Sequence, residues 1–156
     1  MHSPFNSASM AHTPHGSDLR KGRFSQPGGV YMVTTVTRER LPVFENFKSA
    51  RCVVHTLQTE HTAGRAMTLA FVVMPDHLHW LLTLGSSVSL AHVVRTVKSV
   101  VAHHLGGRVW QQGFHDHAVR AEEDLPAMGR YIVNNPVRAG LVGKVGHYSH
   151  WDAVWV

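Results

Sequence analysis

The chain holds one cysteine, Cys52, among 156 residues, so no disulfide can form within it. The helical character of its surroundings makes that cysteine a core residue. No apolar run approaches the ~18 residues of a membrane span, and the first residues lack the apolar block of a secretory signal. These absences predict a cytoplasmic protein with no membrane partner. Acidic residues are scarce as well. Ten Asp and Glu stand against 15 Lys and Arg, a formal balance of +5 with a sequence pI near 9.9. That sign of charge suits a polyanionic partner such as nucleic acid. There is no internal repeat and no sign of a second domain. What the chain has in excess is histidine, 14 in all, beside an apolar content of 44% that can furnish one core.

Residues 1–18, "MHSPFNSASMAHTPHGSD", are polar, Pro-containing and aperiodic, and read as a disordered head before a single domain over 19–156. Arg20, Lys21 and Arg23 follow as a short basic cluster, either a solvated linker or an arm that touches phosphates. "PGG" is a turn, and "VYMVTTVT" (30–37) is the first strand. Over 45–62 the residues Phe47, Ala50, Val54, Leu57 and His61 recur at helical spacing, and Gly64 stops the helix. "AMTLAFVVM" (66–74) is apolar enough for a central strand. Pro75 and Asp76 form a turn into a third strand, "HLHWLLTL" (77–84). Ser89 caps a second helix that runs to about Leu105 with the stripe Leu90, Val93, Val94, Val97 and Val101. A strand-like stretch lies at 114–120. A third helix starts near "EED" (122–124), whose charge suits a helix N-terminus, and should end near Asn135, before Pro136.

The order strand, helix, strand, strand, helix, strand is the ferredoxin-like split βαβ pattern. It predicts an α+β sandwich: a four-stranded antiparallel sheet, two helices on one face, and the third helix against the open face. Alternation along the third strand puts Leu78, Trp80, Leu82 and Leu84 in the core and His77, His79 and Leu81 on the open face. Two imidazoles at i and i+2 lie about 7 Å apart at the backbone, within reach of one metal ion. The same pattern also fits two half-buried histidines. On the third helix, Leu125, Met128 and Ile132 form a packing stripe, with Tyr131 and Asn135 four apart on its flank. If that helix lies on the open face, Tyr131 and Asn135 meet His77 and His79. Taken alone, Tyr131 fits a packing aromatic and Asn135 a C-cap.

"VVMPDHLHWLL", "GFHDHAVR" and "RYIVNNPVRAGLV" resemble the REP-associated tyrosine transposases and their single-tyrosine HUH (His-hydrophobe-His) relatives. The likeness extends from about Arg20 to Ser149, with the motifs in the right order, and the His-rich head has no counterpart in it. The resemblance implies a DNA nuclease and strand transferase that acts on single-stranded DNA with a hairpin or palindromic repeat, as monomer or homodimer. It makes Tyr131 the nucleophile that joins to a 5′-phosphate. His77 and His79, with Asn135 as third ligand, become the site for Mg²⁺ or Mn²⁺. Arg20, Lys21, Arg23, Arg95 and Lys98 are the expected DNA contacts, and His115, Asp116 and His117 are supporting candidates beside the site. Two rivals remain: a non-catalytic hairpin-binding module derived from a transposase, and a histidine-based nucleotide hydrolase, for which a third alternating histidine after His79 is missing.

Overall fold

The computed structural model describes residues 25–155. The expected head and the basic residues Arg20, Lys21 and Arg23 lie outside them. The described elements are β1 (Val30–Val36), α1 (Phe47–Thr62), β2 (Ala66–Met74), β3 (His77–Leu84), α2 (Leu90–His104), β4 (His115–Ala118), α3 (Leu125–Val133), α4 (Asn135–Arg138) and β5 (Trp151–Ala153), with short 3₁₀ turns between some of them. The sheet is antiparallel and ordered β4-β1-β3-β2-β5. Its first four strands have the split βαβ order that the sequence predicts.

The expected count of four strands is corrected to five by β5, which adds to the free edge of β2 through Ala70↔Ala153 and Val72↔Trp151. A three-residue strand with Asp152 at its centre carries no alternating pattern of its own. It exists because β2 offers unpaired backbone groups that must be satisfied. The addition also covers an edge that would otherwise invite pairing with another chain.

Two cores flank the sheet. On one face Tyr31, Val33, Leu78, Trp80 and Leu82 pack against Ala50, Val53 and Leu57 of α1 and Val93, Val94, Val97 and Val101 of α2. Side chains of Asn46 and Ser89 cap these helices by accepting from Ser49 N and His92 N. The predicted stripe of α1 is shifted: Phe47 is exposed, and Val53 and Glu60 are buried instead. Glu60 tolerates burial because Arg65 grips it with two bonds, at 2.9 and 2.8 Å. On the other face a smaller core joins Ala70, Val72, Met74 and Leu81 to Ile132 and Val133 of α3 and Ala153 of β5. Burying Leu81 or Ile132 contributes roughly 1.5–3 kcal/mol each, enough to hold a nine-residue helix that would not persist alone. The third helix therefore does lie on the histidine face.

That helix ends at Val133, earlier than expected. Asn134 closes it, and a second short helix begins at Asn135. Pro136 stands in the first turn of this new helix, where its missing N–H costs nothing. Proline here stands at the start of a second short helix, and Asn135 belongs to α4 rather than to the end of α3.

Candidate active site

The site begins with strand register. Thr34 of β1 lies opposite both His79 of β3 and His115 of β4. Residues directly opposite in an antiparallel pair share a face, so His115, Thr34 and His79 form one row across the sheet. His77 sits two residues along β3 on the same face, opposite Val36. Its ring and that of His79 lie 4.7 Å apart, centroid to centroid, at 80° to each other. With metal–nitrogen bonds of about 2.1 Å, imidazoles this close can reach one ion.

Each ring is held at Nδ1. His77 Nδ1 donates to Asp76 Oδ1 at 2.7 Å, and His79 Nδ1 bonds Thr34 Oγ1 at 2.8 Å. With Nδ1 donating to the Asp76 carboxylate, His77 Nε2 carries the free lone pair of its ring, and His79 Nε2 does the same in the tautomer whose Nδ1 donates to Thr34 Oγ1. Burial above all, then the charges of His77 and Arg138, lower the pKa of His79 to about 4. It is therefore neutral near pH 7, the form that binds metals. Asp76 is itself held. Partial burial pushes its carboxyl upward, but hydrogen bonds from His77 and Arg40 outweigh this and bring it below its ordinary value. Arg40 donates to Asp76 Oδ2 at 3.0 Å.

The loop that delivers Arg40 is strained. Glu39 and Arg40 are consecutive non-glycine residues with φ of 56° and 57°, a left-handed conformation that L side chains adopt at a cost. Buried Thr37 supports it. Thr37 N and Oγ1 donate to Asp76 O at 2.9 and 3.1 Å, and Oγ1 also reaches Leu41 O at 2.7 Å. The Pro75–Asp76 turn and the strained loop are thus clamped together around His77.

The tyrosines differ in how they are engaged. The chain has three tyrosines. Buried Tyr31 accepts from Gln26 N at 3.0 Å, and Tyr148 donates to Val73 O at 2.6 Å. Burial also pushes the Tyr148 phenol up to about 12. Tyr131 differs: it projects from α3 with 63% of its surface exposed, and the Arg138 guanidinium lies over its ring, Cζ 3.7 Å from the centroid. The charge of Arg138 also helps to lower the pKa of His79, after burial and the charge of His77. Asn135 is half-buried at the start of α4. Among the described residues no group of three or more His, Cys, Asp or Glu could hold a metal ion, so a third protein ligand would have to be of another type, such as an amide.

The other expected residues divide. His115 faces the site from the far side of Thr34, about 10 Å or two strand spacings from His79. His117 shares that face and is paired with Glu123 at 3.0 Å, while Asp116 alternates to the opposite side. Arg95 is exposed on α2. Lys98 is engaged within the chain, donating to Gln111 O at 2.9 Å and Gly113 O at 2.6 Å. Both lie on an open groove of about 1300 Å³ that also takes in Arg38, Arg108, Trp110 and Phe114. Residues that sequence reasoning missed as part of the site are Thr34, Arg40, Asp76 and Arg138. Asp76 was read only as a turn residue, and Arg138 left a trace seven positions after Tyr131.

A fold of this kind does not by itself fix a function, and likeness to known proteins supplies the family. Residues 28–135 match the family described as "Transposase IS200 like", and the chain belongs to that family. It is 35% identical over 85 residues to the REP-associated tyrosine transposase of Escherichia coli (strain K12), covering 53% of this chain and 49% of that protein. The matched part is thus about half the length of that relative. Among solved structures, a REP-associated tyrosine transposase bound to a REP hairpin superposes with a TM-score of 0.72 at 26% identity, over 83% of this chain and 79% of that one. Among the described residues no helix is long and apolar enough to cross a membrane.

Proposed function

We propose that the chain is a metal-dependent endonuclease and strand transferase for single-stranded DNA, acting beside a hairpin through a covalent 5′-phosphotyrosine. The observation that supports this reading is a pair of neighbouring imidazoles, each held at Nδ1, on the sheet face against which α3, the helix of exposed Tyr131, packs. The hairpin partner follows from the relative whose structure holds one.

The donor set fits a divalent cation. His77 and His79 would hold it through Nε2, with Asn135 as the oxygen ligand. Two nitrogen donors favour Mn²⁺ over Mg²⁺, which prefers oxygen. When bound, the ion withdraws charge from a non-bridging phosphate oxygen and orients the phosphodiester. Tyr131 supplies the nucleophile: its Oη forms a bond to phosphorus as the bond from phosphorus to the 3′-oxygen breaks. The phenolic proton goes to solvent and the departing 3′-oxygen takes one up. One strand then ends in a 3′-hydroxyl, and the other is joined to Tyr131 through its 5′-phosphate. Attack by another 3′-hydroxyl reverses these changes, so rejoining needs no external energy source. Thr34 and Asp76 keep the imidazoles oriented throughout.

The test is a labelled hairpin oligonucleotide with a single-stranded flank, incubated with Mn²⁺ or Mg²⁺ and run under denaturing conditions. Wild type should yield a protein–DNA adduct and a free 3′-hydroxyl product, and Tyr131→Phe neither. Hairpin binding with no adduct under any divalent ion would instead mark the chain as a binding module.

A further inference from the structure

Tyr131 and Arg138 are seven residues apart. On an unbroken helix that is about two turns and some 10 Å of rise. Here the chain closes α3 at Asn134 and restarts as α4, with Arg138 N donating back to Asn134 O at 3.1 Å. Helical side chains lean toward the N-terminus, so Arg138 reaches back over α3 and lays its guanidinium on the Tyr131 ring, 3.7 Å from the centroid. This is well inside the roughly 6 Å range of a cation–π contact. Both residues are exposed. Among the described residues Asp76 pairs with Arg40 and His77, Glu60 with Arg65, and Glu123 with His117.

A guanidinium whose Cζ lies this close over a ring keeps N–H donors at its rim for other partners. That geometry suits two oxygens of a phosphate. We propose that Arg138 is a phosphate-binding catalytic residue: stacked on Tyr131, it presents its donors to the non-bridging oxygens of the phosphate that Tyr131 Oη attacks. The proposal rests on the function proposed above. Negative charge builds on those oxygens as the new bond forms, so a cation fixed beside them stabilises the transition state more than the bound substrate. Fixed arginines that act on phosphoryl groups contribute about 10³–10⁵ in rate in other enzymes. A lysine would keep the charge and lose both the stack and the fork.

The experiment uses the full chain with Mn²⁺ and a hairpin oligonucleotide that spans the cleaved position. Arg138→Gln should slow adduct formation at least 100-fold, and Arg138→Lys should recover only a small part of the loss. Added guanidinium ion should partly restore Arg138→Gln and leave Tyr131→Phe inactive. A second arm needs no turnover. In a Tyr131→Phe background, Arg138→Gln should weaken binding of the spanning oligonucleotide several-fold and reduce its log–log salt slope by about 0.7, while a hairpin lacking the flank binds as before. Adduct formation within threefold of wild type together with an unchanged salt slope would overturn the assignment. If wild type forms no adduct at all, the strand-transfer reading fails, and the salt slope still decides whether Arg138 holds a phosphate.

Discussion

Asp76 Oδ1 accepts from His77 Nδ1 at 2.7 Å while its second oxygen accepts from Arg40 at 3.0 Å. One carboxylate therefore fixes the ring of a candidate ligand and is itself fixed by a cation from a strained loop. Carboxylates behind a ligating imidazole typically contribute 10–100-fold to metal affinity. Asp76→Asn should weaken Mn²⁺ binding by about that factor, and Arg40→Ala by less, because Asp76 survives. Titration calorimetry measures both. Equal affinity in wild type and Asp76→Asn would reduce this pair to a turn-stabilising contact.

His79 makes stability depend on acid. Its folded pKa is about 4 against an ordinary 6.5, so the unfolded chain takes up a proton that the folded one refuses. The contribution is fully present above pH 6.5 and is lost as pH falls toward 4. Between pH 7 and pH 5 the loss from this group is up to about 2 kcal/mol. In urea unfolding of the metal-free protein, wild type should lose more stability over that interval than His79→Leu. Parallel losses would show that His79 titrates normally.

Much of this was legible in sequence because burial and periodicity agreed. β3 carries Leu78, Trp80 and Leu82 at alternating positions, and Ser89 caps a clean apolar stripe. Both signals are local. The misses are non-local. β5 exists only by pairing with β2, and Thr34 becomes a partner of His79 only through a register 45 residues apart. Arg40 meets Asp76 through a backbone conformation that no propensity favours. Phe47 was misplaced because helical spacing fixes a stripe only within about one residue, and Val53 won the buried position.

Gly129 lies at the contact between α3 and the C-terminal segment. A Cβ there would stand 2.6 Å from Trp155 Cζ3, too close without movement. Gly129→Ala should therefore destabilise the protein by about 1–3 kcal/mol through overpacking, although alanine is the better helix former. Trp155→Ala should relieve the clash, so the double variant should be more stable than the sum of the single effects. Strict additivity in chemical denaturation would place Trp155 away from α3.

Arg95 and Lys98 should separate under salt, although both line the same groove. Arg95 is exposed, so Arg95→Gln should leave stability unchanged and reduce the log–log salt slope of hairpin-DNA binding by about 0.7 for a single-stranded contact. Lys98 holds two carbonyls of the 111–113 segment, and Trp110 Nε1 donates back to Lys98 O at 3.0 Å. Removing its ammonium leaves the part-buried Gly113 O unmet, while Gln111 O is exposed and turns to water, so Lys98→Met should cost about 1 kcal/mol of stability. Its effect on DNA binding should come through the displaced loop. The affinity would then fall by a similar factor at low and moderate salt. If Lys98→Met keeps full stability and shortens the salt slope as Arg95→Gln does, the lysine leaves its carbonyls for a phosphate in the complex.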